Sequence, residues 1–354
     1  MKKYLAFSAA LCCAPVLAQS SSNVTVYGVI DQGVRRAIGM TPSGAPLAGS
    51  VNALNSGVDS TSRWGIRGRE DLGGGLSASF ALESGLAADE GNPLNATKYF
   101  DRASWLGLSG NWGRVTAGRQ TTLLADAVIA TDPLGLRFAS LNPNIATTAL
   151  SAHGLGIQFG PAGSTAGSYR LDNSLKYANT FGRVTASAMY GFGEVNGSGS
   201  ASSSKGAGLS FSQDALTLSG AYQTFRAADS RALDGYALGA TYRVGPVRLA
   251  AGAGRNVADT SATAKTTQRV YSVGATWAVT AVVDLTTAYY KVDRSRTAAA
   301  SDGYGRLITF GEYKLSKRSK LFAEIDVTNW RNGYQGKGIG SRATGFTVGI
   351  SHNF

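Results

Sequence analysis

The feature that most constrains this fold is a series of short segments in which large apolar residues alternate with small or polar ones. In the segment 236–244, one face carries Tyr236, Leu238, Ala240, Tyr242 and Val244, and the other carries only Ala, Gly, Thr and Arg. A period of two is typical of β-strands. A water-soluble sandwich would bury bulky residues on its inner face. The pattern therefore predicts strands that have lipid on one side and water on the other.

Sixteen such segments follow one another along the chain. They lie at residues 23–38, 61–70, 75–86, 100–109, 114–120, 169–178, 183–194, 205–212, 215–227, 234–244, 247–257, 267–278, 283–293, 303–315, 320–331 and 342–354. Short turns alternate with longer polar loops, as in outer-membrane barrels with short periplasmic turns and long outer loops. The predicted fold is all-β, a 16-stranded antiparallel transmembrane β-barrel.

The N-terminus is typical of an export signal. Lys2 and Lys3 precede an apolar stretch at residues 4–11, and small residues allow cleavage after Ala18. A buried first helix is the alternative, but polar residues 19–23 follow at once. We therefore expect a signal peptide at residues 1–18 and one barrel domain at 19–354, because a barrel grows by adding hairpins rather than domains.

Both cysteines, Cys12 and Cys13, lie within this expected signal peptide. The mature chain would then have no disulfide and no thiolate metal site. The sequence suggests no catalytic residues, no metal and no cofactor.

The basic composition narrows the possible partners. The formal net charge is +12, and loss of Lys2 and Lys3 leaves 12 − 2 = +10. Such a balance is compatible with nucleic acid, an anionic membrane surface or anionic solutes. Export argues against nucleic acid. No mature segment has 18 unbroken apolar residues, so no spanning helix is expected.

One long stretch, residues 121–164, interrupts the alternation. It contains Pro133, Pro143 and Pro161. Structureless loops of this length are unusual in compact domains and are normally functional. We predict that this third outer loop folds into the barrel and narrows a water-filled pore.

Arginines in the early strands share one face. Arg63, Arg67 and Arg69 alternate with Trp64 and Ile66. An arginine facing lipid at mid-depth costs about 2–4 kcal/mol. The arginines are therefore expected in the lumen, with tryptophan and isoleucine toward lipid.

Two more arginines extend this set. Arg102 is assigned to the lumen because alternation along the strand puts it on the face opposite to Trp105, which is expected to face lipid. Arg119 shares a face with Val115 and Ala117, which leaves its direction ambiguous. Aromatic residues near strand ends, among them Trp64, Trp105, Tyr190, Tyr242, Trp277, Tyr313 and Trp330, are expected to form interfacial girdles.

A row of lumenal cations favours anion passage. Asp126 and Asp132 in the long loop are the candidate acids that oppose it. The alternative is that the arginines are merely solvated, or bridge to Glu70, Asp71 and Glu83 for stability.

Several motifs carry a family resemblance. They are Val26-Tyr27-Gly28-Val29-Ile30-Asp31, the run from Ser62 to Leu76, Arg114-Val115-Thr116-Ala117-Gly118-Arg119-Gln120, Asp172-Asn173-Ser174-Leu175-Lys176-Tyr177, the run from Tyr313 to Ser319, and the ending Gly349-Ile350-Ser351-His352-Asn353-Phe354. In this order the chain resembles the general porins of Gram-negative bacteria, specifically their β-proteobacterial branch.

The resemblance implies a homotrimer of sixteen-stranded barrels in the outer membrane, with the loop 121–164 as the constriction. It implies that Arg63, Arg67, Arg102 and Arg119 form a basic ladder in the lumen. Phe354 resembles the signal read by the barrel-assembly machinery, although His352 stands where tyrosine is common. Residues 123–136 lack the Pro-Glu-Phe-Gly sequence of enterobacterial relatives, so the loop acids cannot be aligned.

The expected function is passive diffusion of small hydrophilic solutes and ions through the outer membrane, with a preference for anions. Expected partners are outer-membrane lipids and lipopolysaccharide, the barrel-assembly machinery, and small anionic or neutral solutes. A barrel enzyme is disfavoured, because neither His153 nor His352 lies beside a nucleophile motif. An adhesin or structural barrel without an open channel remains the alternative, with loops 40–60 and 332–341 doing the work.

Overall fold

The computed structural model describes residues 23–148 and 169–354. These contain two helices and eighteen strands. The helices are α1 (Leu123–Thr131) and α2 (Pro143–Thr148). The strands are β1 (Asn23–Met40), β2 (Pro46–Ser56), β3 (Arg63–Gly73), β4 (Leu76–Ala87), β5 (Asn92–Pro93), β6 (Ala103–Gly110), β7 (Gly113–Thr121), β8 (Arg170–Phe181), β9 (Val184–Gly191), β10 (Ser204–Gln213), β11 (Leu216–Arg226), β12 (Ala232–Val244), β13 (Val247–Asp259), β14 (Lys265–Ala278), β15 (Val283–Arg296), β16 (Ala299–Lys314), β17 (Ser319–Arg331) and β18 (Arg342–Asn353).

The strands form one closed antiparallel barrel. β3 pairs with β4 and β4 with β6, and from β6 onward each strand pairs with the next along the chain. β18 pairs back with β1 from Val29↔Asn353 to Ile38↔Thr344. On its other side, β1 pairs with β2 in its upper half and with β3 in its lower half, so β2 and β3 occupy a single position. The two-residue strand β5 only caps β4. Counting these as described, the barrel has sixteen strand positions, as predicted.

The strand β2 corrects one expectation. The sequence indicated a loop at 40–60, because this stretch is rich in Pro, Gly, Ser and Asn. The structure instead extends β1 to Met40 and returns the chain as β2, with register from Gln32↔Ser56 to Met40↔Pro46. Pro46 is tolerated because it is the first residue of its strand, where a missing N–H breaks little of the ladder. The wall is therefore taller here than predicted.

The outward face of the wall is apolar and exposed. Leu238, Val273 and Ile325 are 69%, 56% and 52% exposed, although each lies in the middle of a strand. Such exposure in a central strand is costly in water and is expected where lipid covers the wall. Neither helix in the described part of the chain is long and apolar enough to cross a bilayer.

Two of the aromatic residues expected in the girdles lie inside the barrel instead. Trp105 stacks under the guanidinium of Arg114 in the lumen, with 4.6 Å from its ring centroid to Cζ. Trp330 is 5% exposed and packs on Tyr304. By contrast, Trp277 is 46% exposed on the outward face. Parity failed at Trp105 because Arg102 lies before the first residue of β6, where strand alternation has not begun.

The inner face is also less uniformly polar than the sequence suggested. Two apolar clusters lie against it, one around Leu123 and Leu124 and one around Phe138 and Leu141. All four of these residues belong to the long loop. The inner wall is small and polar where it meets water and apolar where it meets this loop, which confirms the predicted infolding.

Candidate pore constriction

The first half of the loop is a helix that lies against the inner wall. Thr122 caps α1 by accepting a hydrogen bond from the N–H of Ala125 at 3.1 Å. Glycines in the wall make room for the helix: a Cβ added at Gly239 would lie 2.6 Å from Cβ of Thr131. The side chain of Gln223 also accepts a hydrogen bond from the N–H of Leu123 at 2.9 Å. The helix is thus held close to β11 and β12.

The segment after α1 packs against a different part of the wall, formed by β16 and β17. The ring of Phe138 packs on Phe310 and Phe322, with centroid separations of 4.6 Å and 6.2 Å. Leu134 and Leu141 belong to the same buried cluster. Apolar packing therefore fills the side of the lumen next to β16 and β17, and a cavity lies beside β4, β6, β7 and β8.

Asp132 does not face the arginines as predicted. It is 1% exposed, and its two carboxylate oxygens accept five hydrogen bonds. The donors are the N–H groups of Leu134 and Leu136 and the side chains of Asn142, Asn144 and Tyr290, at 2.7–3.0 Å. Asp132 ends α1 and folds the following segment around itself. It organises the loop and does not line the pore, and sequence alone gives no sign of these five donors.

A second ionic cluster fastens the loop to the wall. The guanidinium of Arg137 lies 3.2 Å from a carboxylate oxygen of Asp59 and 2.7 Å from one of Glu312. Lys320 contacts the same two acids at 2.5 Å. Burial lowers the pKa of the Arg137 guanidinium, but the negative charges of Asp59 and Glu312 raise it by more. The pKa of Arg137 therefore lies above its usual value. Two cations and two acids therefore balance at this point of the wall.

Arg63 and Arg102 meet on one carboxylate. Glu83 on β4 lies 3.5 Å from Nε of Arg63 and 2.7 Å from Nε of Arg102. The hydroxyl of Tyr27 donates to the same carboxylate at 3.0 Å. This is the bridging to Glu83 that the sequence offered as an alternative. One acid shared by two arginines leaves a net positive charge on this wall.

Arg67 stays exposed above the aromatic ring of Tyr27, with 4.9 Å from Cζ to the ring centroid.

Asp126 is in the lumen, 42% exposed, but its nearest cation is Lys176 on β8 at 2.7 Å. The hydroxyl of Thr121 also donates to Asp126 at 2.6 Å. Asp126 is therefore a pore-side acid, paired with a lysine that the sequence analysis did not single out.

These groups surround one cavity of about 390 Å³ between α1 and the wall. Its charged lining residues are Glu83, Arg102, Arg114, Asp126, Arg170 and Lys176. Four cations and two acids give a net charge of 4 − 2 = +2. Arg170 and Lys176 follow the long loop directly, and their place in the lumen depends on the loop path, which no local motif reveals.

Tyr169, just before β8, belongs to the same charged environment. Burial raises the pKa of its hydroxyl, but the positive charges of Arg170 and Arg102 outweigh burial, and the pKa lies below its usual value. Its ring lies under the Arg170 guanidinium, 4.3 Å from centroid to Cζ. Arg102 and Arg170 therefore both act on the Tyr169 hydroxyl.

Arg119 is on the other side of the wall from its expected position. It pairs in register with Ser104 on the face that also carries Leu106, which is 63% exposed. Its guanidinium bonds to Asp172 at 2.5 Å and is 6% exposed. The lumenal position implied by the resemblance is therefore wrong for Arg119, which forms an outward-facing ion pair with Asp172.

Phe354 joins the last strand to the first. Its N–H and carbonyl form two hydrogen bonds of 3.1 Å with the backbone of Gly28. His352 accepts or donates a hydrogen bond with the hydroxyl of Ser319 at 2.8 Å. His153 and the expected signal peptide lie outside the described residues. Within the described residues, no cluster of His, Cys, Asp or Glu is arranged to hold a metal ion.

Comparison with known proteins agrees with this architecture. A family described as Gram-negative porin matches residues 5–333. The chain belongs to the Gram-negative porin family. It is 29% identical to outer membrane porin protein 32 of Delftia acidovorans over the full length of both chains. It is also 37% identical to an outer membrane porin of Bordetella pertussis over 160 residues, covering 43% of this chain and 42% of that one.

Among solved structures, an anion-selective porin from Comamonas acidovorans superposes with a TM-score of 0.76 and 26% identity, covering 94% of this chain and all of that one. With the closed barrel and the infolded loop, this family membership identifies the chain as an integral outer-membrane porin. It forms a channel for passive diffusion, as expected from the sequence.

Proposed function

We propose that this porin passes small hydrophilic solutes and prefers anions to cations. The supporting observation is the net charge of +2 around the cavity between α1 and the wall. The solved porin to which it is similar is described as anion-selective. An excess of fixed cations at the narrowest point raises the local concentration of anions and lowers that of cations.

The same proposal assigns roles to individual residues. Arg102 and Arg63 supply the charge that Glu83 does not neutralise, while Arg67 adds an exposed cation nearby. Asp126 reduces the excess, because it is the most exposed acid of this cavity wall. Asp132 and Arg119 are left out of the pore-lining set.

We also propose that the porin works as a homotrimer, which its family membership supports. Export would use residues 1–18 as a signal peptide, and insertion would use Phe354 as a signal to the barrel-assembly machinery. Outer-membrane lipids, including lipopolysaccharide, would surround the wall. Single-channel recordings test the trimer. Each inserted unit should contain three channels of equal conductance, which close as three equal steps.

The zero-current potential in a KCl gradient tests the anion preference. Wild-type protein, refolded and inserted in a planar bilayer, should show the sign of an anion-selective channel. The double variant Arg63→Gln, Arg102→Gln removes two cations and leaves Glu83 unpaired. The anion-to-cation permeability ratio should fall by about fivefold or more, which corresponds to about 1 kcal/mol of screened electrostatic energy.

Two further variants complete the test. Asp126→Asn should raise the ratio, because it removes an exposed lumenal acid. Arg36→Gln is the matched control, since Arg36 points outward and bonds to Asn52 at 3.1 Å. A wild-type potential of zero, or of the cation-selective sign, would remove the anion proposal while leaving the channel itself intact.

A further inference from the structure

The outward face carries a row of charge where lipid contact should end. The row crosses five adjacent strands, β13 to β17. Arg255 pairs with Arg269, Arg269 with Asp293, Asp293 with Gly303, and Gly303 with Arg331. Lys291 lies two residues before Asp293 on the same face of β15. Its side chain is 46% exposed, and its Nζ lies 3.2 Å from a carboxylate oxygen of Asp293. We call Arg255, Arg269, Lys291, Asp293 and Arg331 the outer basic row. Its net charge is 4 − 1 = +3.

The row has a fixed height on the wall. Four residues below it, toward the short turns, another lateral row consists of Ala251, Val273, Tyr289, Leu307 and Val327. Val273 is 56% exposed and Leu307 is 43% exposed. The apolar wall thus begins within about 13 Å of the outer basic row, given a rise of about 3.3 Å per residue. This is the depth at which acyl chains give way to headgroups.

The row is under-neutralised. Asp293 contacts both Arg331, at 2.6 Å, and Lys291. Within residues 23–148 and 169–354, no acid lies at salt-bridge distance from Arg255 or Arg269. These two arginines are directly opposite each other on β13 and β14. Like charges directly opposite across two strands destabilise a sheet, so an anion between them would relieve an unfavourable pair.

We propose that the outer basic row binds the phosphate groups of a phosphorylated glycolipid in the outer leaflet. The height of the row puts its guanidinium groups at headgroup level, and guanidinium groups recognise phosphate with paired hydrogen bonds. Contact with a second copy of the chain is the alternative, and the oligomeric state of the row variant distinguishes it from lipid binding. This inference rests on the outer-membrane location and is independent of the anion preference of the pore.

The test is lipid binding by the intact refolded trimer or monomer in a neutral detergent. Diphosphorylated lipid A is titrated, and bound lipid is counted by native mass spectrometry. The double variant Arg255→Gln, Arg269→Gln should bind about thirtyfold more weakly, because each basic residue near an anionic surface contributes about a factor of five. The control Lys317→Gln, Arg318→Gln removes two cations from the short turn at the other end of the barrel and should bind like wild type.

Wild-type protein supplies a second measurement that does not depend on how the variants fold. Fully dephosphorylated lipid A should bind at least tenfold more weakly than the diphosphorylated form. Inorganic phosphate at millimolar concentration should not displace the lipid, since the row lacks a closed pocket for a free ion.

Channel conductance separates this proposal from the pore. The Arg255→Gln, Arg269→Gln variant should keep the wild-type conductance and zero-current potential, because both residues face outward. The proposal is overturned if the dephosphorylated lipid binds equally well, or if the turn variant loses as much binding as the row variant. A change of oligomeric state in the row variant with unchanged lipid binding would assign the row to a subunit contact instead.

Discussion

Removing the Asp132 carboxylate should release the loop from its place inside the barrel. Asp132→Ala leaves five buried donors without their acceptor. Each unsatisfied buried donor costs about 1–3 kcal/mol, and water entering from the lumen recovers part of this. We take about 3 kcal/mol as the lower bound, which increases the opening equilibrium of the loop more than about a hundredfold.

Hydrogen exchange measures this opening directly. The informative amides are those whose partners do not include Asp132, namely Phe138, which donates to Asp59 at 3.0 Å, and Leu141, which donates to Phe138 at 2.8 Å. Their exchange should accelerate about a hundredfold or more in Asp132→Ala, while amides of β14 to β17 keep wild-type rates.

Asp126→Ala is the matched control, because it also removes one loop carboxylate. That residue is 42% exposed and has one lysine partner, and such pairs contribute about 0–1 kcal/mol. Exchange at Phe138 and Leu141 should change less than about fivefold. If the two variants accelerate exchange equally, or if neither does, Asp132 is not the residue that organises the loop.

Two other predictions follow from positions inside and outside the wall. In single-tryptophan variants, brominated lipid should quench the fluorescence of Trp277 strongly and that of Trp105 and Trp330 weakly; strong quenching of Trp105 would place it on the wrong face. Gly239→Leu should push α1 off the wall, because even a Cβ there would meet Thr131 at 2.6 Å. Single-channel conductance should then fall, and an unchanged conductance would mean that α1 does not border the open path.

The sixteen strand positions were predictable because lipid imposes a period of two on every strand. The residues 236–244 show it without interruption, and β12 occupies Ala232–Val244. The infolded loop was equally visible, since alternation fails for some forty residues and then resumes. Both features depend only on local sequence, so they can be predicted without knowledge of long-range contacts.

The alternation of residues predicted the wrong face where a strand had not yet begun or where the inner wall carries apolar side chains. Trp105 follows Arg102 across the start of β6, and Trp330 belongs to an inner apolar cluster that also contains Leu134, Phe138 and Leu141 of the loop. β2 was missed because its composition is that of a loop, and its strand conformation is set by pairing with β1.

The charged residues of the site divide in the same way. Arg63 lies in the lumen as predicted, because an arginine facing lipid is costly. Arg102 also lies there, although the alternation with Trp105 that predicted it fails. Asp132 was misassigned because its role depends on five donors, of which Tyr290 lies 158 residues away. Arg119 was misassigned because alternation left its direction ambiguous and the resemblance implied the lumen, whereas its pairing with Ser104 turns it outward.

The seam between β1 and β18 has a consequence for biogenesis. Ten consecutive register pairs, from Val29↔Asn353 to Ile38↔Thr344, join the first strand of the cylinder to the last. Contacts of such high sequence separation form only after loop-closure entropy has been overcome, and they make folding slow. A nascent chain therefore carries two unpaired sheet edges until its final dozen residues have been synthesised and delivered. Throughout that interval those edges are exposed to pairing with other chains.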